Sequence, residues 1–236
     1  MAEYQNKLFS ILGDSISTLD GYSVPDGTAF YVGEKKFLSN VFAPEDTWWG
    51  KVIARLGGEL LVNNSISGST VCAHPVYEVP FYGCSDERTA ALGRGGCTPD
   101  VVMVFLGVND WGHGFHIAPN EDLGGGSYAF ASAYTEMLEK LRKNYPQAEI
   151  WCFTLPVSTW SGHAYFEFPY CYNGRHIKEY CEAIRTCAEA CGCRVIDLYA
   201  SDTPHDTIDG FHPTANGMQV LADTVLRCLE RPHGAE

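Results

Sequence analysis

The sequence predicts an α/β protein in which a parallel sheet lies between two layers of helices. Short apolar runs alternate with longer amphipathic ones along the chain, and the clearest apolar run, VVMVFL, contains no polar residue. Strands that are buried on both faces have this continuous apolar pattern. Alternation of such strands with helices is typical of βαβ units joined by right-handed crossovers. We expect one domain over residues 1–236, a length sufficient for a single sizeable core.

Five runs are predicted to form the sheet, because each is short, apolar and followed by turn residues. In chain order they are Lys7–Gly13, Glu59–Asn63, Val101–Leu106, Glu149–Leu155 and Arg194–Leu198.

Four segments are predicted to be helices, because their apolar residues recur at intervals of three and four. They are Trp48–Leu56, Ser127–Lys143, Asn173–Cys191 and a last helix that follows Pro213. In the last helix we expect Met218, Leu221, Ala222, Val225 and Leu229 to face inward.

Three long connections, Ser17–Asp46, Val108–Gly126 and Pro156–Tyr172, each follow a predicted strand. We expect them at the carboxyl edge of the sheet, where open α/β folds bind ligands. Aromatic residues are frequent in these loops, which argues against disorder. They either pack the loops onto the body or contact a substrate. The candidate substrate contacts are Trp111, His113, Trp160 and Tyr165.

The composition limits the classes of partner. The chain carries 16 Lys and Arg against 29 Asp and Glu, a formal net charge of −13. A surface this acidic repels phosphate backbones, so we expect no nucleic-acid partner. No apolar run approaches the ~20 residues that a membrane span needs. The first ten residues do not resemble a signal peptide, so a cytoplasmic location is expected, unless a leader was trimmed.

The ten cysteines are predicted to be free thiols, most of them buried. Cys181, Cys187 and Cys191 fall on the apolar stripe of a predicted helix, where thiols behave as small hydrophobic side chains. No paired CxxC with a nearby His suggests a metal site. We expect neither a metal nor a cofactor.

Two short segments could together supply a nucleophile and its base. Ser15 ends the tripeptide GDS directly after the first predicted strand, and Asp209 precedes His212 by three residues in DGFHP. That spacing allows one imidazole nitrogen to meet the carboxylate while the other faces outward, as a catalytic triad requires. Taken alone, the serine could be a turn residue and the histidine a helix cap.

Two further segments could bind a developing oxyanion. Gly68 follows the second predicted strand, where a glycine exposes its backbone N–H, and Asn109 follows the third with a side-chain amide. Either could also be an ordinary loop residue. All four segments, however, lie at the same predicted edge of the sheet, and together they supply the parts that acyl transfer requires.

These segments resemble the sequence blocks of the GDSL, or SGNH, hydrolase family, from GDS at residue 13 to DGFHP at residue 209. The resemblance implies a flavodoxin-like three-layer α/β/α sandwich with a five-stranded parallel sheet. It also implies Ser15 as nucleophile, Asp209 and His212 as its partners, and an oxyanion hole formed by Ser15, Gly68 and Asn109. The first block reads GDSIS where the family has GDSL, and a long insertion follows it.

The family acts on several kinds of ester. Aromatic residues with polar neighbours suit a sugar better than a long acyl chain, so we expect a short-chain, acetyl-type esterase acting on a small-molecule or oligosaccharide ester. A lipase-like or thioesterase activity is the enzymatic alternative. A carbohydrate-binding module without catalysis is the alternative of another class.

Overall fold

The computed structural model describes residues 2–73, 82–118 and 128–230. In these ranges seven α-helices are present: α1 Glu34–Ser39, α2 Trp48–Leu56, α3 Asp86–Ala90, α4 Val108–His113, α5 Phe130–Asn144, α6 Ile177–Ala190 and α7 Ala215–Glu230. The strands are β1 Leu8–Gly13, β2 Glu59–Ser65, β3 Val101–Phe105, β4 Glu149–Phe153, β5 Ser158–Trp160, β6 Cys171–Tyr172, β7 Arg175–His176, β8 Arg194–Ile196 and β9 His205–Thr207.

The central sheet has five parallel strands in the order β2-β1-β3-β4-β8. This is the strand order of flavodoxin-like folds, in which the chain reverses direction across the sheet next to the first strand. The predicted fold class is therefore confirmed, and each of the five predicted strands takes its place in this sheet. Two small sheets, β5 with β9 and β6 with β7, were not predicted.

Each face of the sheet is covered by helices, which gives three layers. On one face, α2 and α7 pack against side chains such as Phe105 and Trp151. On the other face, α5 and α6 pack against Val102, Val104 and Cys152. In α7 the side chains of Met218, Leu221, Ala222 and Val225 are buried, as the apolar spacing predicts, and Leu229 is partly buried.

The predicted strand ends differ from the structure by one or two residues, and three other boundaries differ by more. Residues 173–176 do not begin a helix, because Arg175–His176 pairs with Cys171–Tyr172 as a hairpin and α6 starts only at Ile177. The loop predicted from Val108 opens with the short helix α4. The helix predicted from Ser127 begins at Phe130, and Ser127 lies outside the described residues.

All ten cysteines are free, as predicted from their spacing. Six are buried, whereas Cys97 and Cys171 are exposed. None of the helices in the described part of the chain is long and apolar enough to cross a membrane.

Candidate active site

The register of the sheet brings the candidate site residues together. Gly13, the last residue of β1, is opposite Ser65 at the end of β2 and Phe105 at the end of β3. The three segments that follow therefore leave the sheet at the same level. They carry Ser15, Gly68 and Asn109.

Ser15 begins a single 3-10 turn, Ser15–Ser17, immediately after β1. The Asp14 side chain caps this turn by accepting a hydrogen bond from the backbone N–H of Ile16 at 3.0 Å. The cap fixes the direction in which the chain leaves the strand. Ser15 itself is only 5% exposed.

Ser15, His212 and Asp209 form a continuous chain of hydrogen bonds. The Oγ of Ser15 lies 2.9 Å from Nε2 of His212, and Nδ1 of His212 lies 2.7 Å from Oδ2 of Asp209. An ionised carboxylate can only accept, so Nδ1 carries the proton of the neutral ring. This assignment leaves Nε2 as the acceptor for the Ser15 hydroxyl.

The local geometry of the 209–212 turn favours an ionised Asp209. Burial alone would raise its pKa, but hydrogen bonds from the His212 ring and from the backbone N–H groups of Phe211 and His212 outweigh burial, so the pKa of Asp209 is lowered. Gly210 has a φ of +91°, and a Cβ there would lie 3.0 Å from the Phe166 ring. Glycine at this position thus allows the turn that presents both Asp209 and His212.

The predicted oxyanion donors are the N–H of this serine and two groups in the loops that follow β2 and β3. Within the described part of the chain, the backbone N–H groups of Ser15 and Gly68 donate no hydrogen bond. Gly68 is exposed, with a φ of +78°. The Asn109 Nδ2 donates to the carbonyl oxygen of Ser69 at 2.8 Å, and because an amide has two N–H bonds, the second is left for a ligand.

Two buried carboxylates stabilise the loops around the site. Burial raises the pKa of Asp14 to about 7, with the Asp110 carboxylate acting in the same direction and the Ile16 N–H and Arg88 opposing it. Burial raises the pKa of Asp110 to about 6, although its two oxygens accept the backbone N–H groups of Val71 and Cys72 at 2.9 and 3.0 Å. Both carboxylates accept hydrogen bonds from backbone N–H groups of the loops around the site.

A pocket of about 270 Å³ opens beside His212. Its lining is mainly apolar and aromatic, and it includes two of the predicted substrate contacts, Trp111 and His113. The lining residues are Ile16, Val108, Asn109, Trp111, Gly112, His113, Tyr172, Phe211 and His212. Trp111 is held in place because its indole N–H donates to the carbonyl oxygen of Arg175 at 3.0 Å.

The other two predicted substrate contacts, Trp160 and Tyr165, do not line this pocket. They line a separate surface hollow of about 420 Å³, in which Tyr165 is 99% exposed. The pairing of β5 with β9, which was not predicted, places Trp160 opposite Thr207, two residues before Asp209. Phe166 of the same loop lies close to Gly210 in the 209–212 turn.

Several residues of the site were not predicted from the sequence. The Phe30 ring stacks on His212, and Tyr31, which is fully buried, donates its hydroxyl to the carbonyl oxygen of Pro213 at 3.0 Å. The frequent aromatic residues of the 17–46 segment are the feature of the sequence that could have indicated Phe30 and Tyr31. Arg88 lies in a short helix that the sequence pattern did not predict.

Within the described ranges, no group of three or more His, Cys, Asp or Glu side chains could hold a metal ion.

Solved structures share this architecture over nearly the whole chain. A Bacteroides uniformis protein described as a GDSL-like lipase is 30% identical with a TM-score of 0.72, covering 95% of this chain and 96% of its own. A Bacteroides ovatus protein described in the same way is 26% identical with a TM-score of 0.74, covering 97% and 100%. Est24, a carbohydrate acetylesterase from Sinorhizobium meliloti, is 16% identical with a TM-score of 0.62, covering 95% and 98%, and shows the fold alone.

No curated protein matches the chain. The family model described as GDSL-like lipase/acylhydrolase matches residues 7–156, more than half of the chain. The matched part includes Ser15, Gly68 and Asn109 and ends before Asp209 and His212. On the strength of that match and of the Bacteroides structures, this chain belongs to the GDSL-like lipase/acylhydrolase family.

Proposed function

We propose that this chain is a serine esterase that hydrolyses short-chain esters, acetyl esters above all, and that the alcohol part of its substrate is a carbohydrate. The observation that carries the proposal is the chain of hydrogen bonds from Ser15 through His212 to Asp209. A hydroxyl, a neutral imidazole and an ionised carboxylate in this order are the groups that activate a serine for acyl transfer.

The first half of the reaction forms an acyl-enzyme. Ser15 Oγ attacks the ester carbonyl carbon while its proton passes to Nε2 of His212, and the carbonyl oxygen becomes an oxyanion. The N–H groups of Ser15 and Gly68 and the Asn109 amide stabilise that charge. When the tetrahedral intermediate collapses, the alkoxide takes the proton from His212 and leaves as the alcohol.

The second half releases the acid. Water attacks the carbonyl carbon of the acyl-serine while His212 takes one of its protons, and the same three donors hold the second oxyanion. Collapse breaks the bond to Ser15 Oγ, which recovers its proton from His212. Asp209 stays ionised throughout and stabilises the imidazolium that forms in each half.

The pocket supports a small acyl group. At about 270 Å³ it is just below the range of about 300–1,000 Å³ that is typical for drug-sized ligands. The lining includes Tyr172, which is 44% exposed, and the imidazole of His113. An aromatic face beside a polar ring suits a sugar, which has both apolar C–H faces and hydroxyl groups.

Covalent labelling tests the nucleophile. A fluorophosphonate should form one adduct on Ser15 of the wild-type protein and on the matched variant Ser161→Ala, whose serine is exposed and outside the pocket. Ser15→Ala should give no adduct and lose nearly all hydrolysis of p-nitrophenyl acetate. Equal turnover by Ser15→Ala and wild type would end the proposal. If the chain is a binding module without catalysis, neither wild type nor Ser161→Ala should form an adduct.

The substrate class is tested separately. p-Nitrophenyl esters of two-, eight- and sixteen-carbon acids should be hydrolysed with strongly decreasing kcat/KM. A preference for the sixteen-carbon ester would indicate a lipase instead. Release of acetate from acetylated oligosaccharides, absent with Ser15→Ala, is the result expected for the carbohydrate part of the proposal, and turnover of p-nitrophenyl acetate without such release would contradict it.

A further inference from the structure

Arg88 is a buried arginine that joins the ends of two strands to the loop that follows them. It is 2% exposed and lies in the helix α3. Its guanidinium donates to the carbonyl oxygen of Gly13 at 2.9 Å, to the carbonyl oxygen of Asn64 at 2.7 Å and to Oδ1 of Asn64 at 2.9 Å. It also donates to Oγ of Ser69 at 2.9 Å. One rigid side chain thereby sets the spacing of β1, β2 and the loop.

Ser69 connects this arginine to all three candidate oxyanion donors. It directly follows Gly68 in the chain, and its carbonyl oxygen accepts the Asn109 Nδ2 at 2.8 Å. Its hydroxyl donates to the carbonyl oxygen of Gly13, two residues before Ser15, at 3.3 Å. Ser69 is 1% exposed, so these contacts are shielded from water.

Stability alone does not explain an arginine at this position. Burial lowers the pKa of Arg88 to about 10, with the Asp14 carboxyl acting in the opposite direction, so the side chain stays charged at neutral pH. Removing a charge from water is costly, and well-packed apolar side chains often replace buried ionic groups without loss of stability. The planar guanidinium donates several hydrogen bonds in fixed directions and so holds several acceptors in place, which an apolar side chain cannot do.

We propose that Arg88 is a positioning residue for the esterase reaction and that, through Ser69, it holds the Ser15 N–H, the Gly68 N–H and the Asn109 amide in an arrangement that binds the oxyanion. The inference rests on the proposed function. Misplacement of catalytic groups by about 1 Å can cost on the order of 10²-fold in rate, so a displaced Ser69 would lower turnover without removing any donor.

The test compares Arg88→Met and Arg88→Lys with Arg185→Met. Arg185 is a matched control, because it is partly buried and paired with Asp197 at 2.7 Å but contacts none of the site residues. With p-nitrophenyl acetate we expect Arg88→Met to lower kcat by about 10- to 100-fold with little change in KM. Arg88→Lys should recover part of that loss, and Arg185→Met should keep the wild-type kcat even if its Tm falls.

Ser69→Ala keeps Arg88 and removes one contact, so it carries the test if Arg88→Met does not fold. Its kcat should fall in the same way, by about tenfold. Wild-type kcat in folded Arg88→Met, or in both Arg88→Lys and Ser69→Ala, would overturn the proposal. An equal loss of kcat in Arg185→Met would also overturn the proposal, because general destabilisation would then explain the loss in Arg88→Met.

Amide hydrogen exchange separates this inference from the proposed function. Arg88→Lys should exchange faster than wild type in residues 64–70 and 13–17, whereas Arg185→Met should not. If wild type forms no fluorophosphonate adduct, the proposed function fails and the exchange result still decides whether Arg88 holds these segments. Unchanged exchange in Arg88→Lys would contradict the inference in either case.

Discussion

The ring of Phe30 lies flat on the imidazole of His212, with the two centroids 3.4 Å apart and the planes 7° from parallel. The Lys35 ammonium lies 3.8 Å from the centroid of the same phenyl ring, and because the imidazole covers one face, it occupies the other. The backbone N–H of Phe30 donates to Thr18, whose hydroxyl donates to the carbonyl oxygen of Ser15. The 17–46 segment thus ties the candidate base to the candidate nucleophile.

Phe30→Ala should lower kcat on p-nitrophenyl acetate by about three- to tenfold. Aromatic pairs contribute about 0.5–1.5 kcal/mol beyond burial, and losing the stack leaves His212 free to turn away from Ser15. Phe37→Ala is the control, since Phe37 is on the same segment but 71% exposed. Unchanged kcat in Phe30→Ala would show that the stack does not orient the imidazole.

Asp209→Asn should lower kcat by about 10⁴-fold. Replacing the aspartate of a serine protease triad by asparagine has an effect of about this magnitude, because the amide favours the wrong imidazole tautomer. Here the carboxylate accepts from Nδ1 of His212 at 2.7 Å, so the same consequence is expected. Asp223→Asn, a change in α7 away from the site, should keep wild-type turnover. A loss of less than tenfold in Asp209→Asn would contradict the assigned role.

Asn109→Ala should lower kcat by about 10²–10³-fold with little change in KM, because the lost amide acts on the oxyanion and not on the bound ester. The comparison is Asn144→Ala, an exposed position at the end of α5. Steady-state kinetics on p-nitrophenyl acetate distinguish the two effects. A rise in KM at constant kcat would mean that Asn109 binds the substrate and does not stabilise the transition state.

The pH dependence of stability should change in Asp14→Asn. Burial holds the pKa of Asp14 at about 7 in the folded chain, against about 3.9 when unfolded. The folded state binds the extra proton between these values, so the contribution of Asp14 is fully present below about pH 4 and is lost as pH rises through 7. Asp110 titrates in both proteins, and the variant also removes its electrostatic interaction with Asp14, so the comparison measures Asp14 together with that interaction.

Urea unfolding from pH 4 to pH 8 measures this contribution. Relative to Asp14→Asn, wild type should lose stability on the order of 1–4 kcal/mol across that range. The asparagine keeps an acceptor for the Ile16 N–H, so the cap is retained. A difference between the two proteins that does not vary with pH would show that Asp14 does not titrate in this range.

Tyr172→Ala should widen the acyl preference. Tyr172 lines the pocket but is 44% exposed, so its removal enlarges the pocket at little cost to the core. We expect the ratio of kcat/KM for the eight-carbon ester to that for the two-carbon ester to rise by about tenfold, the scale of one or two buried methylene groups. Tyr165→Ala, outside the pocket, should leave the ratio unchanged. A constant ratio in Tyr172→Ala would place the acyl group elsewhere.

The sheet was predictable because its strands are short and mainly apolar, and the clearest of them is apolar without interruption. A run such as Val101–Phe105 is buried on both sides, and no other element fits that pattern as well. The hairpin at 171–176 was not predictable, since two-residue strands carry no periodicity and the residues that follow them are helical. The helical spacing that begins at Ile177 therefore predicts a helix that starts too early and includes Arg175 and His176.

The candidate site was predictable only where its residues are close in sequence or follow a strand. Asp209 and His212 contact each other across three residues, and Ser15 and Asn109 each follow a strand of the central sheet. Arg88 has no such signal, because it reaches the site from a five-residue helix through contacts with strands far away in sequence. Trp160 lies outside the pocket, on the strand β5 that pairs with β9. Pairing between segments that are distant in sequence cannot be predicted from the spacing of residues.

The order of the site residues along the chain has a consequence for how the protein is made. Ser15, Gly68 and Asn109 are synthesised first, and the five-stranded sheet is complete once Ile196 has been added. Asp209 and His212 come later, in the turn just before α7. A growing chain therefore contains its serine and all five strands while it still lacks a base. Under the proposed mechanism, hydrolytic competence is the last property that the chain acquires, and an unfinished copy cannot attack the esters around it.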